Sequence, residues 1–266
     1  MGVRPSKAVS RVTVVSKIRV IARIDVKNDD VIKGIHLEGL RRVGKPNDLA
    51  RKYYGAGIDE IVFMDAVAAY YDRNSLSEII QAACNDVFVP ITVGGGIRNI
   101  EDIKKALSAG ADKVAINTQA IRHPAFIEQA SKIFGSQCVV ISIEAKKISE
   151  GKWEAFIDNG REPTGLDVIE WAQKAQKLGA GEVLLTSIDA EGTKKGLDES
   201  LNAAVAESVS IPVIASGGAG KVEHISSLLN ISSVDAVAVA SVLHYDLLEV
   251  KDLKQHLNNH GHKVRS

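Results

Sequence analysis

Ile91-Thr92-Val93-Gly94-Gly95-Gly96-Ile97 is an apolar run that ends on glycines, with a helical pattern starting at Asn99. Its echo, Val213-Ile214-Ala215-Ser216-Gly217-Gly218-Ala219-Gly220, lies in the second half of the chain. Both copies follow a proline, Pro90 and Pro212, and both precede a helical stretch. Glycine has no Cβ, so its backbone can approach an anion closely, and the helix that follows offers free N–H groups and a positive dipole end. One such turn reads equally well as a tight turn. Two in matching positions predict a pair of phosphate cradles.

The likeness widens on both sides. Gly57-Ile58-Asp59-Glu60-Ile61-Val62-Phe63-Met64-Asp65 matches Gly179-Ala180-Gly181-Glu182-Val183-Leu184-Leu185-Thr186-Ser187, and Gly110 to Thr118 matches Val234 to Ser241. Upstream, Val20-Ile21-Ala22-Arg23-Ile24-Asp25-Val26-Lys27 matches Val139-Val140-Ile141-Ser142-Ile143-Glu144-Ala145-Lys146. The chain reads as one half written twice. Strands are expected at Val20–Asp25, Glu60–Asp65, Val89–Gly94, Lys113–Asn117, Cys138–Glu144, Glu182–Ser187, Pro212–Ser216 and Asp235–Ala240. Their near-continuous apolar character suits strands buried on both faces. Amphipathic helices are expected between them, at Asn47–Gly55, Ser75–Cys84, Asn99–Ser108, Pro124–Phe134, Val168–Leu178, Glu199–Glu207, Lys221–Leu229 and Val250–Asn259. Strict alternation over this length predicts an α/β fold, a (βα)8 TIM barrel built from two duplicated half-barrels. An open doubly wound sheet fits less well, because no single dinucleotide fingerprint opens the chain. The extra residues Asn28–Pro46 and Lys147–Gly165 are expected to form small hairpins or loops.

The 266 residues carry no formal net charge, which gives no electrostatic case for nucleic acid or an anionic membrane as partner. Cys84 and Cys138, the two cysteines, show no metal or disulfide spacing and suit a reducing cytosol. Residues 1–17 read as an extension without a signal-peptide core, ahead of a barrel domain at 18–266.

Chemistry in such barrels sits at the C-terminal strand ends, where Asp25, Asp65 and Glu144 stand. Two carboxyl groups across one mouth can act as general acid and general base. Alternatively they cap turns or pair with Lys27 and Lys146. A carboxylate at both duplicated positions, Asp25 and Glu144, favours catalysis. At the opposite ends the strands begin with Arg19, Glu60, Lys113 and Glu182, a ring of alternating sign. It reads either as a sealing plug or as a gate for a small molecule.

The chain from Arg19 to Arg265 resembles the cyclase subunit family of imidazole glycerol phosphate synthase, the ammonia-using half of a glutamine amidotransferase in histidine biosynthesis. The resemblance rests on Thr92 to Ile97, Ala111 to Thr118, Leu185-Thr186-Ser187-Ile188-Asp189 and Ala215 to Gly220. It implies the same duplicated barrel, a ribonucleotide substrate with two phosphates, no metal or organic cofactor, a cytoplasmic setting, and a glutaminase subunit that forms a heterodimer and supplies ammonia through the barrel. Carried over by position, Asp25 and Glu144 are the catalytic acids. Lys33 and Gly34 belong to the loop that closes over substrate, and Asp65 lies at the substrate site. Gly95, Asn117 and Thr118 hold one phosphate. Gly217, Gly218, Ala240 and Ser241 hold the other, with Glu191, Gly192 and Thr193 beside them. Arg19, Glu60, Lys113 and Glu182 become the ammonia gate, and Asp112 the partner interface.

This chain departs from the family pattern at four places around one mouth. Glu144 and Glu191 stand where aspartates are usual, Arg23 where a small residue or cysteine is usual, and Asn28-Asp29-Asp30 replaces an Asp-Gly-Arg turn. These changes resemble a paralogue group found with surface-polysaccharide genes, in which the barrel activates a glutaminase and passes ammonia on for acetamidino-sugar synthesis. That is the alternative to the cyclase. A sister sugar-phosphate isomerase is a third reading, against which the charged floor argues. His244 reads as a core or exposed histidine beside the second phosphate site. His256, His260 and His262 read as a solvated face, Trp153 and Trp171 as packing residues, and Asp102, Lys104 and Lys105 as an exposed helix face.

Overall fold

The computed structural model describes residues 17–66 and 76–265. The expected extension, apart from Lys17, and the first residue of the helix expected from Ser75 lie outside them. Eight parallel strands close on themselves: β1 (Arg19–Lys27), β4 (Glu60–Asp65), β5 (Ile91–Gly94), β6 (Lys113–Ile116), β7 (Val139–Ser149), β10 (Glu182–Ser187), β11 (Val213–Ser216) and β12 (Ala236–Val239). β1 pairs with both β12 and β4, and the β10–β7 pairing completes the ring. The eight expected strands are all present, and the eight expected helices follow them within a residue or two.

Because side chains alternate along a strand, each of these strands has one row facing the barrel axis and one facing the helices. Ile21, Val62, Ala115, Val140, Leu184, Ile214, Ala236 and Ala238 form the apolar interior cluster. The alternate row, including Val20, Ile24, Ile61, Phe63, Ile141 and Val237, packs under the helices in the larger core. The helices are delimited by local chemistry. At Ile100–Ser108, Asn99 Oδ1 accepts from Asp102 N–H at 3.0 Å while Asp102 Oδ2 accepts from Asn99 N–H at 3.3 Å. This corrects the reading of Asp102 as part of an exposed face: it is half-buried and closes a capping box.

The two insertions occupy equivalent places in the duplicated halves. β1 overruns the barrel, turns at Asn28 (φ +54°) and pairs with β2 (Asp30–Ile35), which pairs with β3 (Glu38–Gly44). β7 likewise overruns and pairs with β8 (Lys152–Ile157), which pairs with β9 (Glu162–Asp167). Leu37, Phe156 and Ile188 form a small cluster joining both hairpins to the loop after β10, so the two insertions meet over one side of the mouth.

Short helices at Thr118–Arg122 and Ser241–His244 were not expected. Their N-caps, Asn117 (ψ −88°) and Ala240 (ψ −71°), leave extended geometry one residue after β6 and β12 end. The strands expected to reach Asn117 and Ala240 therefore stop just short. No described helix is long and apolar enough to cross a membrane.

At the floor an aspartate precedes three of the strands. Asp59, Asp112 and Asp235 each accept, through Oδ2, the N–H of Val20, Ile91 and Val213 on the neighbouring strand, at 2.7, 2.8 and 3.0 Å. Each then donates its own N–H to that residue's carbonyl, at 3.0, 2.8 and 2.9 Å. Asp59 is buried and also takes Lys254 Nζ at 2.7 Å. Asp59→Ala strands a buried N–H and an ammonium, so it is expected to lower unfolding free energy by about 2 kcal/mol. Urea unfolding measures this, and an unchanged midpoint would refute the clamp.

Candidate active site

The two glycine turns sit at the C-terminal ends of β5 and β11, on the same mouth. Gly95 has φ +85°, and a Cβ there would stand 2.3 Å from Asp65 O. Gly218 has φ +100°, and a Cβ would stand 2.0 Å from Gly196 O. Both conformations and both approaches require glycine. The first cavity, of about 70 Å³, is lined by Asp65, Gly95, Asn117 and Thr118 together with Arg23, Asp25 and Glu144. The second, smaller one is lined by Glu191, Gly192, Gly217, Gly218, Ala240 and Ser241, together with Arg23 and Lys33. Arg23 is common to both. Each cradle also has an acid nearby that a cation offsets: Asp158 takes Arg122 at 2.9 Å beside Thr118, and Glu191 takes Lys33 beside Gly217. Beyond the second cradle a basic groove of about 690 Å³ runs out along the hairpin past Arg41, Arg42 and Lys194.

Between the cradles lies a buried ionic network. Arg23 Nε donates to Asp25 Oδ1 at 2.9 Å, and its Nη1 donates to Thr186 Oγ1 at 2.8 Å and Ser216 Oγ at 3.3 Å. Lys33 reaches Asp25 Oδ2 at 3.5 Å and forms a short contact with Glu191. Burial pushes the Asp25 carboxyl up, but Arg23 and Lys33 outweigh it and hold Asp25 below the usual carboxylate range. Burial likewise works against the Lys33 ammonium, and Glu191 and Asp25 more than reverse it.

Glu144 is treated differently. Its Oε2 accepts from Asn117 Nδ2 at 3.0 Å and from Gly160 N–H at 2.7 Å, both uncharged donors. Burial, helped by Asp25 and Asp158 and opposed by Arg23, pushes its carboxyl up to about 7. His244 stacks on Tyr53 and meets its hydroxyl through Nδ1 at 2.6 Å, while its Nε2 is buried. Burial and Lys33 push its pKa down to about 4, so it is neutral at pH 7.

At the opposite end the four charges close into a ring. Arg19 meets Glu60 at 2.9 Å and Glu182 at 2.5 Å, and Lys113 meets Glu60 at 3.0 Å and Glu182 at 2.9 Å. Each carboxylate thus bridges both cations. Lys113 is the least enclosed of the four.

A sequence model described as histidine biosynthesis protein matches residues 19–249. The chain belongs to the histidine biosynthesis protein family. Among its relatives in that family is imidazole glycerol phosphate synthase subunit HisF of Legionella pneumophila, 58% identical over 208 residues, which span 78% of this chain and 98% of the relative.

Against this family frame, the structure gathers most of the expected site at one mouth. Lys27 and Lys146 do not pair with Asp25 and Glu144 in the ion pairs seen; Arg23 and Lys33 take Asp25 instead. Lys33 lies in β2 and is buried, a fixed member of the network within the expected closing loop. Thr193 turns its hydroxyl back to Ala190 O at 2.7 Å and lines neither cavity. Asp112 is exposed at the floor beside Lys113, with one oxygen committed to Ile91.

Of the four departures said to surround one mouth, Arg23, Glu144 and Glu191 do so. Asp30 instead ties the hairpin base to Arg42 and Lys45, at 2.9 and 2.8 Å. Sequence reasoning gave no role to Gly160, Asp158 or the Tyr53–His244 pair, which carry no local motif, nor to Thr186 and Ser216, whose motifs do not reveal their contact with Arg23. Trp153 and Trp171 are buried packing residues as expected. The C-terminal histidines correct the solvated-face reading in part. His256 and His260 stack at 3.9 Å, and Nε2 of both His256 and His262 is buried without a hydrogen-bond partner among the described residues.

Glu144 keeps its proton in the folded protein at pH values where the unfolded chain, near 4.5, has released it. Its burial therefore costs stability progressively as pH rises from about 4.5 to about 7. Glu144→Gln retains an oxygen for Asn117 and Gly160. It is expected to raise stability by about 3 kcal/mol at pH 8 and to change it little at pH 4. Denaturant titration at the two pH values measures the difference, and equal stabilities at pH 8 would refute the assignment.

Proposed function

We propose that this chain is the ammonia-using cyclase subunit of an imidazole glycerol phosphate synthase. It converts a ribonucleotide bearing two phosphates into imidazole glycerol phosphate and an aminoimidazole carboxamide ribonucleotide. The observation that carries the reading is the 58% identity to a subunit of that name along nearly its whole length. The doubled cradles and opposed charged floor suit it.

In this reading Gly95, Asn117 and Thr118 seat one phosphate, and Gly192, Gly217, Gly218, Ala240 and Ser241 seat the other. The reacting centre then lies across the barrel axis, over Asp25 and Glu144, with Asp65 at its edge. Lys33 and Gly34 on the hairpin, with Glu191 and Thr193 on the facing loop, bound the second phosphate side. A nucleophilic nitrogen loses a proton as its bond to carbon forms, and a departing amine gains one as its bond breaks. Carboxyl groups at the mouth serve both needs.

Ammonia comes from a glutaminase docked at the floor in a heterodimer, with Asp112 on the contact face. It passes the Arg19–Glu60–Lys113–Glu182 ring, of which Lys113 is the least enclosed member. The work is done in the cytoplasm, by a barrel domain over 18–266, without metal or organic cofactor. The identity to a cyclase subunit favours this over a barrel that only activates a glutaminase for acetamidino-sugar synthesis.

Purified protein given the ribonucleotide and an ammonium salt should form imidazole glycerol phosphate, and Glu144→Ala should slow it at least about 100-fold. Absence of turnover at high ammonia, with glutaminase stimulation intact, would overturn the cyclase assignment.

A further inference from the structure

The inward row of β1 reads Arg19, Ile21, Arg23, Asp25 from floor to mouth. Arg19 belongs to the floor ring and Ile21 to the apolar interior. Arg23, 3% exposed, is thus a guanidinium set on the barrel axis between the apolar layer and the reacting mouth, and it forms part of both cradle walls. Thr186 and Ser216, on β10 and β11, hold it from across the lumen.

Around it, two cations and two anions balance. Arg23 and Lys33 between them take both oxygens of Asp25, and Lys33 also takes Glu191. All four side chains are buried. Protonating Asp25 would leave two buried cations facing one anion, and uncompensated buried charge is costly. Glu144 has no ion pair of its own among the described residues. Among the described residues its hydrogen bonds fall on Oε2, from the neutral donors Asn117 and Gly160, and none falls on Oε1, in a side chain that lines the first cavity. The charged groups acting on it are Arg23 and Asp25 on β1 and Asp158 on the turn after β8. It can change protonation state without breaking an ion pair.

We propose that Arg23 and Lys33 hold Asp25 as a permanent anion and leave proton transfer at this mouth to Glu144 alone, with Arg23 as the positioning residue for a one-carboxyl mechanism. The inference builds on the cyclase reading but assigns its two acids different work. Glu144 takes the proton released as the new carbon–nitrogen bond forms and returns it to the nitrogen that leaves as the old one breaks. Asp25 stays charged throughout, stabilising cationic character at the reacting centre and keeping Arg23 in place.

The test needs no turnover. Protein carrying 13C in its aspartate and glutamate carboxyl groups is titrated by NMR, the two signals being assigned by their loss in Asp25→Asn and Glu144→Gln. The expected result is a Glu144 signal that titrates near pH 7 and an Asp25 signal that stays flat from pH 5 to 9. An Asp25 signal that titrates in that range, or a Glu144 signal that does not, overturns the proposal. Arg23→Gln should move the Asp25 midpoint up by a pH unit or more, a tenfold change in proton affinity, while Arg23→Lys moves it less. An Asp25 midpoint unmoved in a folded Arg23→Gln protein removes Arg23 from the positioning role.

With turnover, kcat at constant free ammonia should show one ionisation near 7, lost in Glu144→Gln and retained in whatever activity Asp25→Asn keeps. A second ionisation that disappears in Asp25→Asn also overturns the proposal. A wild-type protein without turnover but with the expected NMR titrations would sink the cyclase reading and leave the division between the two carboxyl groups standing.

Discussion

A closed parallel barrel has no place on its inner face for charge that is not matched, and β1 of this chain puts three charges there. Arg19, Arg23 and Asp25 all point inward along one strand, separated from one another by no more than Ile21. Burying ions unpaired costs several kcal/mol each, so the rest of the barrel is built to answer them. Glu60, Glu182 and Lys113 answer Arg19 at the floor. Lys33, Thr186 and Ser216 join the Arg23–Asp25 pair at the mouth, and Glu191 is there to balance Lys33. The interior is therefore a stack: an ionic floor, an apolar layer, and an ionic mouth.

The duplication explains where the halves agree and, by contrast, where function has pulled them apart. Both halves have a glycine turn pressed against the backbone that ends a neighbouring strand. Both have a short helix after the fourth strand of the half, and a hairpin formed where the first strand overruns the barrel. These are backbone devices, and they recur because a half-barrel can be copied only if its backbone copies. The charges recur only in part: Glu60 matches Glu182 and Asp25 matches Glu144, but the cations that face them have no charged counterpart. Arg23 is matched by Ser142 and Lys113 by Ala236, so the floor ring and the mouth network are each lopsided about the duplication axis. Of the paired acids, Asp25 lies between cations and Glu144 between neutral donors. One position has thus been duplicated and then given two different electrostatic environments, and two carboxyl groups that would otherwise behave alike end up with different proton affinities.

Much of this was legible in the chain before any coordinates. The eight strands stood out because both of their faces are buried, which makes each a continuous apolar run. The glycine turns stood out because the conformation they adopt excludes other residues, and the floor ring because four strands begin with a charge. Arg23 was visible only as a residue out of keeping with its surroundings; nothing near it in sequence hinted at Thr186 or Ser216. The short helices after Asn117 and Ala240 were hidden for a related reason. They are single turns held by tertiary context, too brief to show a period.

The order of residues along the chain settled the architecture by itself, since alternation, repetition and the placement of glycine are local properties that one strand or turn expresses without its neighbours. The proton affinity of a carboxyl group is not local. Whether Asp25 or Glu144 holds a proton depends on which groups from β1, β2 and the turns after β6 and β8 are brought within a few ångströms, and on how far water is kept from them. That was decided only when the sheet closed and brought together residues more than a hundred positions apart.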